Sequence, residues 1–560
     1  MKTYLITFVF LFVFVDAFAQ KVYHEQVYVH TDKEYYLAGE NVWIKFLAVN
    51  QDINPSLLSA VGYVELVNAQ RPHIQFKVAL DKGHGVGKIS IPLDLPSGNY
   101  ELIGYTQYMR NDGSDAFFRK LLPIINVNQS FSEGIVKVID KQSIQNRIIP
   151  TSTSIDVQGN KSSYSLRSKV DLSIDRLPKD LIDLVVSVVK DDKIVQLPDS
   201  NFKQFAFKRI GNGEIPNLPS LKWLPEYEGH IITGRIVAVD NKELPADSSI
   251  LSADVGVVGK DIRYIQGQLS SVHDPVSFYT GNIYGRHEIV SSVSSLDGRR
   301  LRLDILSPFS EFEPKQLPTL LMAPDQEILK IRSISEQLSH LVVLDSVTNE
   351  ISLSYYNLQP HLSYDLDKYT RFNTIDETIR EFVRRIDVSR VGGKRRMRIF
   401  IEEERRLAPE SLILLDGVPV NDHEDLLNYN ARNIKQIDLY NGRYLFGGRI
   451  FDCIASFVSY RGTMPSLQLK ADEQLFVYNF PAYKDVFPIV FYETELNRRS
   501  RFPDFRHTLY WETFQEGIPT EGAHLSFYTS DLAGKFKVMV TGIRANGEKV
   551  FGTTTFQVNK

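Results

Sequence analysis

Short apolar runs alternate with turn residues along most of the chain. Examples are the runs Val42–Phe46, Val61–Leu66, Ile74–Leu80 and Tyr100–Tyr105, and the turns Gly83–Gly85 and Pro96–Asn99. Turn signals about every 8–12 residues between short strands are typical of β-sandwiches. The pattern therefore predicts a mainly β protein with several sandwich domains in series.

Two stretches have helical spacing instead. Between Gln326 and about Val347, apolar residues recur near the period of one helix face, which predicts a single helix. Further on, Thr374 and Glu377 have the spacing of a capping box, and apolar residues as far as Ile386 share one face. We expect a second helix there.

The stretch from Ser411 to Gly462 mixes strand and helix signals. An apolar strand ends at the turn pair Asp416–Gly417, where glycine gives access to positive φ. A short helical segment, a strand from Ile434 to Tyr440, a glycine-rich corner and a strand from Ile454 to Tyr460 follow. This order predicts a small α/β unit among the sandwiches.

The remaining C-terminal pattern returns to strands. They are predicted at Gln474–Tyr478, Ile489–Tyr492, His507–Trp511, His524–Tyr528, Gly534–Ile543 and Val550–Gln557. The predicted division of the chain is a signal segment 1–19, β-sandwich 20–130, second β domain and loop 145–222, third sandwich 223–310, helical connector 311–363, α/β unit 364–462 and C-terminal sandwich 463–560.

The first residues predict export. Lys2 precedes the apolar run Tyr4–Val15, and Ala17 and Ala19 form an A-x-A cleavage site before Gln20. The run is shorter than the roughly 20 residues that a spanning helix needs. We expect a mature chain without a transmembrane segment, in the periplasm, at the outer membrane or on the cell surface.

Composition narrows the function classes. The net charge of −4 over 560 residues shows no basic bias, which argues against a nucleic-acid partner. Cys453 is the only cysteine, so no internal disulfide can form. Aromatic residues such as Trp43, Tyr105, Tyr108, Trp511 and Tyr528 could line a ligand platform, but a sandwich core is the favoured interpretation.

The sequence lacks the common catalytic and metal-binding patterns. His287–Glu288 and His423–Glu424 each lack the second histidine of a zinc motif, and no G-x-S-x-G run occurs. Cys453 is interpreted as a buried, inert thiol, and Glu402–Glu404 with the arginines after them as a solvated face. We predict no catalytic residue, cofactor or metal site, and a non-enzyme.

One resemblance lies near the N-terminus. The run VYVHTDKEYYLAGENVWIKFLAVN and the segment IPLDLPSGNYELIGYTQYMRNDGSDAFFRKLL resemble the macroglobulin-type (MG2-like) domain that opens many exported proteins of the Bacteroidota. The domain after it is similar to a second macroglobulin-like domain, and the third sandwich to regulatory-type sandwiches. The Cys-Gly-Glu-Gln run of thioester macroglobulins is absent, which excludes covalent protease trapping.

The α/β unit resembles the plug domain of TonB-dependent outer-membrane receptors. The resemblance covers about Tyr364 to Gly462 and rests on the ordered set LILLDGVPVND, NIKQIDLYNGRYLFGG and IASFVSYRG. Cys453 stands where such sequences usually have glycine, no TonB box is recognisable, and the residues after Gly462 are too few for a barrel of 16 strands at about 10 residues each.

The resemblance implies a protein-recognition role. The candidate interaction residues lie in the Asp416–Asp422 loop and the Arg443–Arg449 corner, namely Asp416, Gly417, Val418, Pro419, Arg443, Phe446, Gly447 and Gly448. The leading hypothesis is a non-enzymatic envelope protein whose sandwiches present this unit to an outer-membrane or cell-surface protein. The alternatives are an accessory subunit of TonB-linked nutrient uptake and an unrecognised hydrolase.

Overall fold

The computed structural model describes most of the chain in eleven ranges. They are 24–144, 155–197, 206–210, 222–240, 243–343, 358–446, 449–464, 468–470, 472–515, 517–519 and 522–560, with side chains from 336 to 343 left out. The predicted signal segment lies outside them. Strands dominate the described residues, so the predicted mainly β class is confirmed.

The first sandwich is built from eight strands. They are β1 (Glu25–Thr31), β2 (Tyr36–Leu37), β3 (Asn41–Asn50), β4 (Val61–Val67), β5 (Pro72–Ala79), β6 (His84–Ser90), β7 (Gly98–Thr106) and β8 (Phe118–Ile125). One sheet has the order β1-β3-β6 and the other β2-β8-β7-β4-β5. Fully buried Phe46, Tyr63 and Tyr105 belong to the core that the two sheets share.

Short strands follow the first sandwich. They are β9 (Val136–Val138), β10 (Asp156–Gly159), β11 (Ser163–Ser165), β12 (Lys169–Asp175), β13 (Leu181–Lys190) and β14 (Val195–Gln196). In β12 the residues Val170, Leu172 and Ile174 are buried and alternate with more exposed neighbours, as expected for a strand with one face on the core.

The next segment supplies the third predicted sandwich and the first long helix. Its elements are β15 (Ile231–Ala238), β16 (Leu251–Val257), β17 (Tyr264–Gln266), β18 (Val276–Tyr279), β19 (Arg286–Ser295), β20 (Leu301–Ile305), β21 (Leu320–Met322) and α1 (Gln326–Val343). The helix predicted from Gln326 is confirmed as far as Val343; the residues beyond it lie outside the described ranges. Strand β21 joins β9 and β14 in a small separate sheet.

The α/β unit has the mixed pattern that its sequence predicts. Its elements are β22 (Leu362–Asp365), α2 (Ile375–Phe382), β23 (Ile386–Val391), β24 (Lys394–Ile401), β25 (Arg406–Leu407), β26 (Ser411–Leu415), β27 (Val418–Pro419), α3 (His423–Leu427), β28 (Ile434–Phe446) and β29 (Arg449–Ser459). One sheet has the order β22-β28-β29-β26-β27 and another β23-β24-β25. The capping box of Thr374 and Glu377 opens α2, but the helix ends at Phe382 and Ile386 begins a strand.

The C-terminal elements complete domains that begin far upstream. They are β30 (Glu473–Asn479), α4 (Glu495–Arg498), β31 (Thr508–Phe514), β32 (Ala523–Tyr528), β33 (Gly534–Arg544) and β34 (Lys549–Asn559). The sheets β10-β12-β32 and β11-β34-β33-β13-β31 form one sandwich, and β30 extends the sheet β17-β16-β19-β30, which faces β18-β15-β20.

This pairing corrects the predicted division at both ends. The strands assigned to 145–222 and to 463–560 are not two sandwiches, because β13 lies between β31 and β33 in one sheet. An interior strand is hydrogen-bonded on both edges, and both partners of β13 come from the other end of the chain. The predicted strand Ile489–Tyr492 is not a strand in the structure.

Candidate interaction surface

The two predicted interaction segments lie on the same sheet of the α/β unit. The turn after β26 leads into β27 at one edge, and β28 and β29 form a long antiparallel hairpin in the middle. Apolar residues such as Ile437 and Phe457 are fully buried in the unit's core. The sheet therefore holds both segments on a rigid base.

The turn at Asp416–Gly417 has the geometry that its sequence predicts. Asp416 has φ of 45° and Gly417 of 79°, as in the tight turns that join adjacent antiparallel strands. The Asp416 carboxylate is fully buried and accepts hydrogen bonds from the Ser459 backbone N–H at 2.7 Å, the Ser459 hydroxyl at 2.6 Å and the Met464 N–H at 2.8 Å. Its role is to tie the end of β29 to this turn.

The same turn packs tightly against the third sandwich. A Cβ on Gly417 would lie 2.6 Å from the Val257 carbonyl oxygen, and one on Gly256 would lie 2.9 Å from Pro419 Cδ. The Gly259 N–H also donates to the Asp416 carbonyl at 3.0 Å. Two glycines thus let two backbones approach each other where any larger residue would clash.

The structure therefore corrects the interpretation of Asp416, Gly417, Val418 and Pro419 as an open recognition loop. All four residues are buried. They form a joint between the α/β unit and the third sandwich, so a partner protein cannot reach them in this arrangement. The physical reason is the neighbouring sandwich strand β16, which the local sequence does not reveal.

The hairpin of β28 and β29 has one covered face and one open face. Tyr264 of the third sandwich contacts Phe446 and Phe451 edge-on, with ring centroids 5.7 and 5.9 Å apart. Leu445 and Ile450 pair across the ladder and are 64% and 55% exposed. Since successive side chains of a strand point to opposite faces, burying the aromatic face leaves this aliphatic pair in solvent.

The predicted Arg443–Arg449 corner is thus the end of a hairpin. Arg443 is largely exposed, with its Nε 3.5 Å from Asp452 Oδ1, and Arg449 lies 3.5 Å from Glu410. Phe446, by contrast, is buried. Gly447 and Gly448 lie outside the described residues. Arg443 lies at the same end of the hairpin as Leu445 and Ile450, two residues that sequence reasoning missed. The period-two alternation with Tyr444, Phe446 and Phe451 was the available signal.

Three buried polar clusters join the domains. The first links the first sandwich to the third. The Glu226 carboxylate accepts from the Tyr63 hydroxyl at 2.8 Å and pairs with His230 Nδ1 at 2.8 Å, while His230 Nε2 lies 2.6 Å from the Tyr478 hydroxyl. Burial and the nearby Lys77 ammonium lower the pKa of His230 to about 4, so this imidazole is neutral at pH 7.

The second cluster joins the first sandwich to β13. Asp183 Oδ2 lies 2.9 Å from His30 Nε2, and its other oxygen lies 3.8 Å from Lys45 Nζ. Burial alone would raise the pKa of Asp183, but the hydrogen bond from His30 and the neighbouring His84 and Lys45 hold it far below its usual range. Burial lowers the pKa of Lys45 to about 8.

The third cluster anchors α1. The Arg332 guanidinium donates to both oxygens of Glu40, at 2.9 and 2.7 Å. Although burial opposes ionisation, the charges of Arg332 and Lys33 lower the pKa of Glu40 to about 2. Apart from Glu226 and His230, the hydrogen-bonded partners in these clusters lie 153 to 292 residues apart in the sequence, so no local pattern predicts them. A local signal was a charged residue such as Lys45 inside an otherwise apolar strand.

The structure also shows the surroundings of the other residues that the sequence analysis considered for reactivity or ligand binding. Cys453 is fully buried in β29, and burial raises the pKa of its thiol to about 11, which fits the predicted inert thiol. Within the described ranges, no group of three or more His, Cys, Asp or Glu side chains is placed to hold a metal ion. The aromatic residues Trp43, Tyr105, Tyr108, Trp511 and Tyr528 are all buried, which confirms the core interpretation.

Comparisons with known proteins show only distant structural similarities. No family model and no curated protein matches it. Among solved structures, it is similar to trypsin-activated α2-macroglobulin from Escherichia coli, with a TM-score of 0.22 and 8% identity over 95% of this chain and 41% of that one. For Salmonella α2-macroglobulin reacted with methylamine, the TM-score is 0.23 and the identity 8%, over 95% of this chain and 39% of that one.

A third similarity, to the Yersinia pseudotuberculosis adhesin InvE, has a TM-score of 0.13 and 9% identity over 53% of this chain and 59% of that one. The chain spans about two fifths of the length of the macroglobulins. Its own sheets define its class, a mainly β protein of packed sandwiches that carries one α/β unit. In the part of the chain that the structure describes, no helix has the length and apolar character needed to cross a membrane.

Proposed function

We propose that this chain is an exported, non-enzymatic protein whose packed sandwiches present the hairpin end of the α/β unit to a protein partner at the outer membrane. The observation that carries the proposal is the exposed aliphatic pair Leu445 and Ile450 beside the exposed Arg443. An arginine next to apolar side chains is a common composition of protein-binding surfaces.

The packing beneath the hairpin favours a recognition role for the exposed Leu445 and Ile450. The aromatic face of the hairpin is held on Tyr264, and the Asp416 turn fixes the same sheet to the third sandwich. A surface that is already rigid loses little conformational entropy on binding. Export and the outer-membrane location rest on the signal-like N-terminus and on the plug-like resemblance of the unit.

A cross-linking experiment tests the proposal. A photo-cross-linking residue in place of Arg443, introduced in cells, is expected to capture one envelope protein reproducibly. Leu445→Asp combined with Ile450→Asp should reduce the yield at least about tenfold, because two charges would be buried against the partner.

The matched control is Val391→Asp, on the other hairpin of the same unit, where the side chain is 48% exposed. It should leave the yield unchanged. Equal capture by the Leu445→Asp, Ile450→Asp variant and the unmodified hairpin would refute the proposal, and so would the absence of any captured envelope protein.

A second candidate function is an accessory role in TonB-linked uptake, which the plug-like resemblance favours. It predicts that a deletion strain grows poorly on a limiting iron, vitamin or glycan source, and that the Leu445→Asp, Ile450→Asp variant fails to restore growth. Unchanged growth on every source would refute this second candidate function.

A further inference from the structure

Exposed apolar side chains are concentrated in one segment near the C-terminus, residues 486–502. Within the described residues, 23 large apolar side chains are substantially exposed, and five of them lie in these 17 residues: Val486, Ile489, Phe491, Leu496 and Phe502. Single residues of this kind are normal on a protein surface, whereas a concentration of them marks an interaction site. The apolar pattern that predicted a strand at Ile489–Tyr492 belongs to this segment.

The end of the segment combines apolar and basic side chains. Leu496 and Phe502 are 83% and 79% exposed. The residues between them include no acidic residue and three exposed arginines, Arg498, Arg499 and Arg501. Arg499 pairs with Glu495, but both side chains are in solvent, so this pair contributes little. Residues 496–502 thus carry three positive charges in a chain whose net charge is −4.

The backbone of this loop is held by one side chain, Arg167. Its Nη1 donates to the carbonyls of Arg498 and Ser500 at 3.1 and 2.7 Å, and its Nη2 donates to the Phe502 carbonyl at 2.8 Å. The Asp531 carboxylate accepts two further hydrogen bonds of 2.6 Å from the same guanidinium. Because three carbonyls converge on one guanidinium, the backbone of 498–502 curls around it, and its exposed side chains stand on a fixed support.

We propose that the loop 496–502 binds the surface of an anionic phospholipid bilayer, with Leu496 and Phe502 entering the apolar layer and the arginines contacting headgroup phosphates. A bilayer places an apolar interior directly beneath a negatively charged headgroup layer, which is the combination that this loop matches. Side chains as exposed as these two project from the protein surface, and a fluid bilayer encloses such projections without a preformed pocket. A loop that is already held in place loses little conformational entropy on binding.

Co-sedimentation of the purified chain, without the predicted signal segment, with phospholipid vesicles tests this. We expect saturable binding to phosphatidylcholine vesicles that contain about 30% phosphatidylglycerol, and binding at least about tenfold weaker to phosphatidylcholine alone, because the arginines then meet no negative surface. Raising the salt concentration should weaken binding to the anionic vesicles, since salt screens exposed charges. No saturable binding, or equal binding to the two kinds of vesicle, would overturn the proposal.

Two double variants locate the site. Leu496→Asp with Phe502→Asp should weaken binding to the anionic vesicles at least about tenfold, because two carboxylates replace the side chains that enter the apolar layer. The matched control is Leu57→Asp with Leu296→Asp, at positions outside the segment that are 75% and 86% exposed. It changes the chain by the same two charges and should stay within about threefold of the parent. A similar loss in both double variants, or none in the first, would contradict the assignment.

A fluorescent side chain reports contact with lipid while the site stays apolar. Phe502→Trp keeps a large aromatic residue, and vesicles of brominated phospholipid should quench the emission of the added indole. Leu296→Trp, equally exposed but outside the segment, should show no quenching beyond that of the parent chain. Absence of quenching in the Phe502→Trp chain at saturating vesicle concentration would overturn the proposal.

The proposal takes its bilayer from the outer-membrane location of the proposed function, but it does not depend on the hairpin surface. The Leu445→Asp, Ile450→Asp variant should bind the vesicles as the parent does, and the Leu496→Asp, Phe502→Asp variant should keep a purified partner of the hairpin. The two proposals can therefore fail separately. Capture of an envelope protein by a photo-cross-linking residue in place of Arg499, without any binding to vesicles, would assign the loop to a protein partner and overturn the lipid proposal.

Discussion

The Asp416–Pro419 turn and the hairpin end at Arg443–Ile450 belong to one sheet, yet their environments are opposite. Both combine a charged residue, glycine and apolar neighbours, and both were predicted as recognition segments. The turn is closed by the backbone of the third sandwich, whereas Leu445 and Ile450 remain in solvent. The contacts of the neighbouring domain therefore determine which glycine-containing segment is a buried joint and which is an exposed surface.

The largest expected effect is at the buried carboxylate of the joint. Asp416→Ala leaves two N–H groups and a hydroxyl without their acceptor, and we expect the free energy of unfolding to fall by about 4 kcal/mol. Chemical denaturation measures it. Asp422→Ala removes the cap of a short helix and ion pairs with the partly exposed Lys394 and Lys470, and it should cost about 1–2 kcal/mol. A similar loss for both variants would contradict the assigned role of Asp416.

The close backbone approach gives the next largest effect. Gly417→Ala combines a positive φ with a clash against the Val257 carbonyl, so we expect a loss of about 3 kcal/mol in unfolding free energy. Gly392→Ala is the matched control, since Gly392 has φ of 61° and open space around its Cβ position. It should cost about 1 kcal/mol. Equal costs would show that the joint is not tightly packed.

Acid should weaken the joint between the first and third sandwiches. The pKa of His230 is about 4 in the folded chain and 6.5 in its ordinary state, so the unfolded chain binds the proton more tightly. The unfolding free energy therefore falls as pH drops from 6.5 towards 4, by about 2 kcal/mol at pH 5 from this histidine.

Denaturant unfolding at pH 7 and pH 5 measures this contribution. In His230→Gln, which cannot titrate, the difference between the two pH values should shrink by about 2 kcal/mol. The same pH dependence in parent and variant would mean that His230 is not the group responsible.

The smallest expected effect is on the open face of the hairpin. Leu445→Ser with Ile450→Ser should change the unfolding free energy by less than about 0.5 kcal/mol, because these side chains are already largely in water. Phe446→Ala, on the covered face of the same hairpin, should cost at least about 3 kcal/mol. Thermal and denaturant melts compare them, and a large loss in the serine variant would place Leu445 and Ile450 in a packed interface.

Features that depend on residues close together in the sequence were predicted well, whereas features that depend on distant residues were not. The capping box at Thr374 and the positive φ at Gly417 were predicted correctly, since both depend on residues only a few positions apart. The end of α2 was placed too late, because the apolar spacing continues smoothly into β23. The C-terminal strands were mostly located well, but their partners were not.

Local sequence was enough to predict the mainly β class, the alternation of strands and turns, and the tight turn at Asp416–Gly417. Those features arise from side-chain alternation and backbone preference within a few residues. The pairing of β13 with β31 and β33 and the contacts of His230 with Glu226 and Tyr478 depend on the complete fold. So does the burial of the Asp416 turn beside the exposed Leu445. Strand partners and domain contacts are chosen by the whole chain, and no local pattern encodes them.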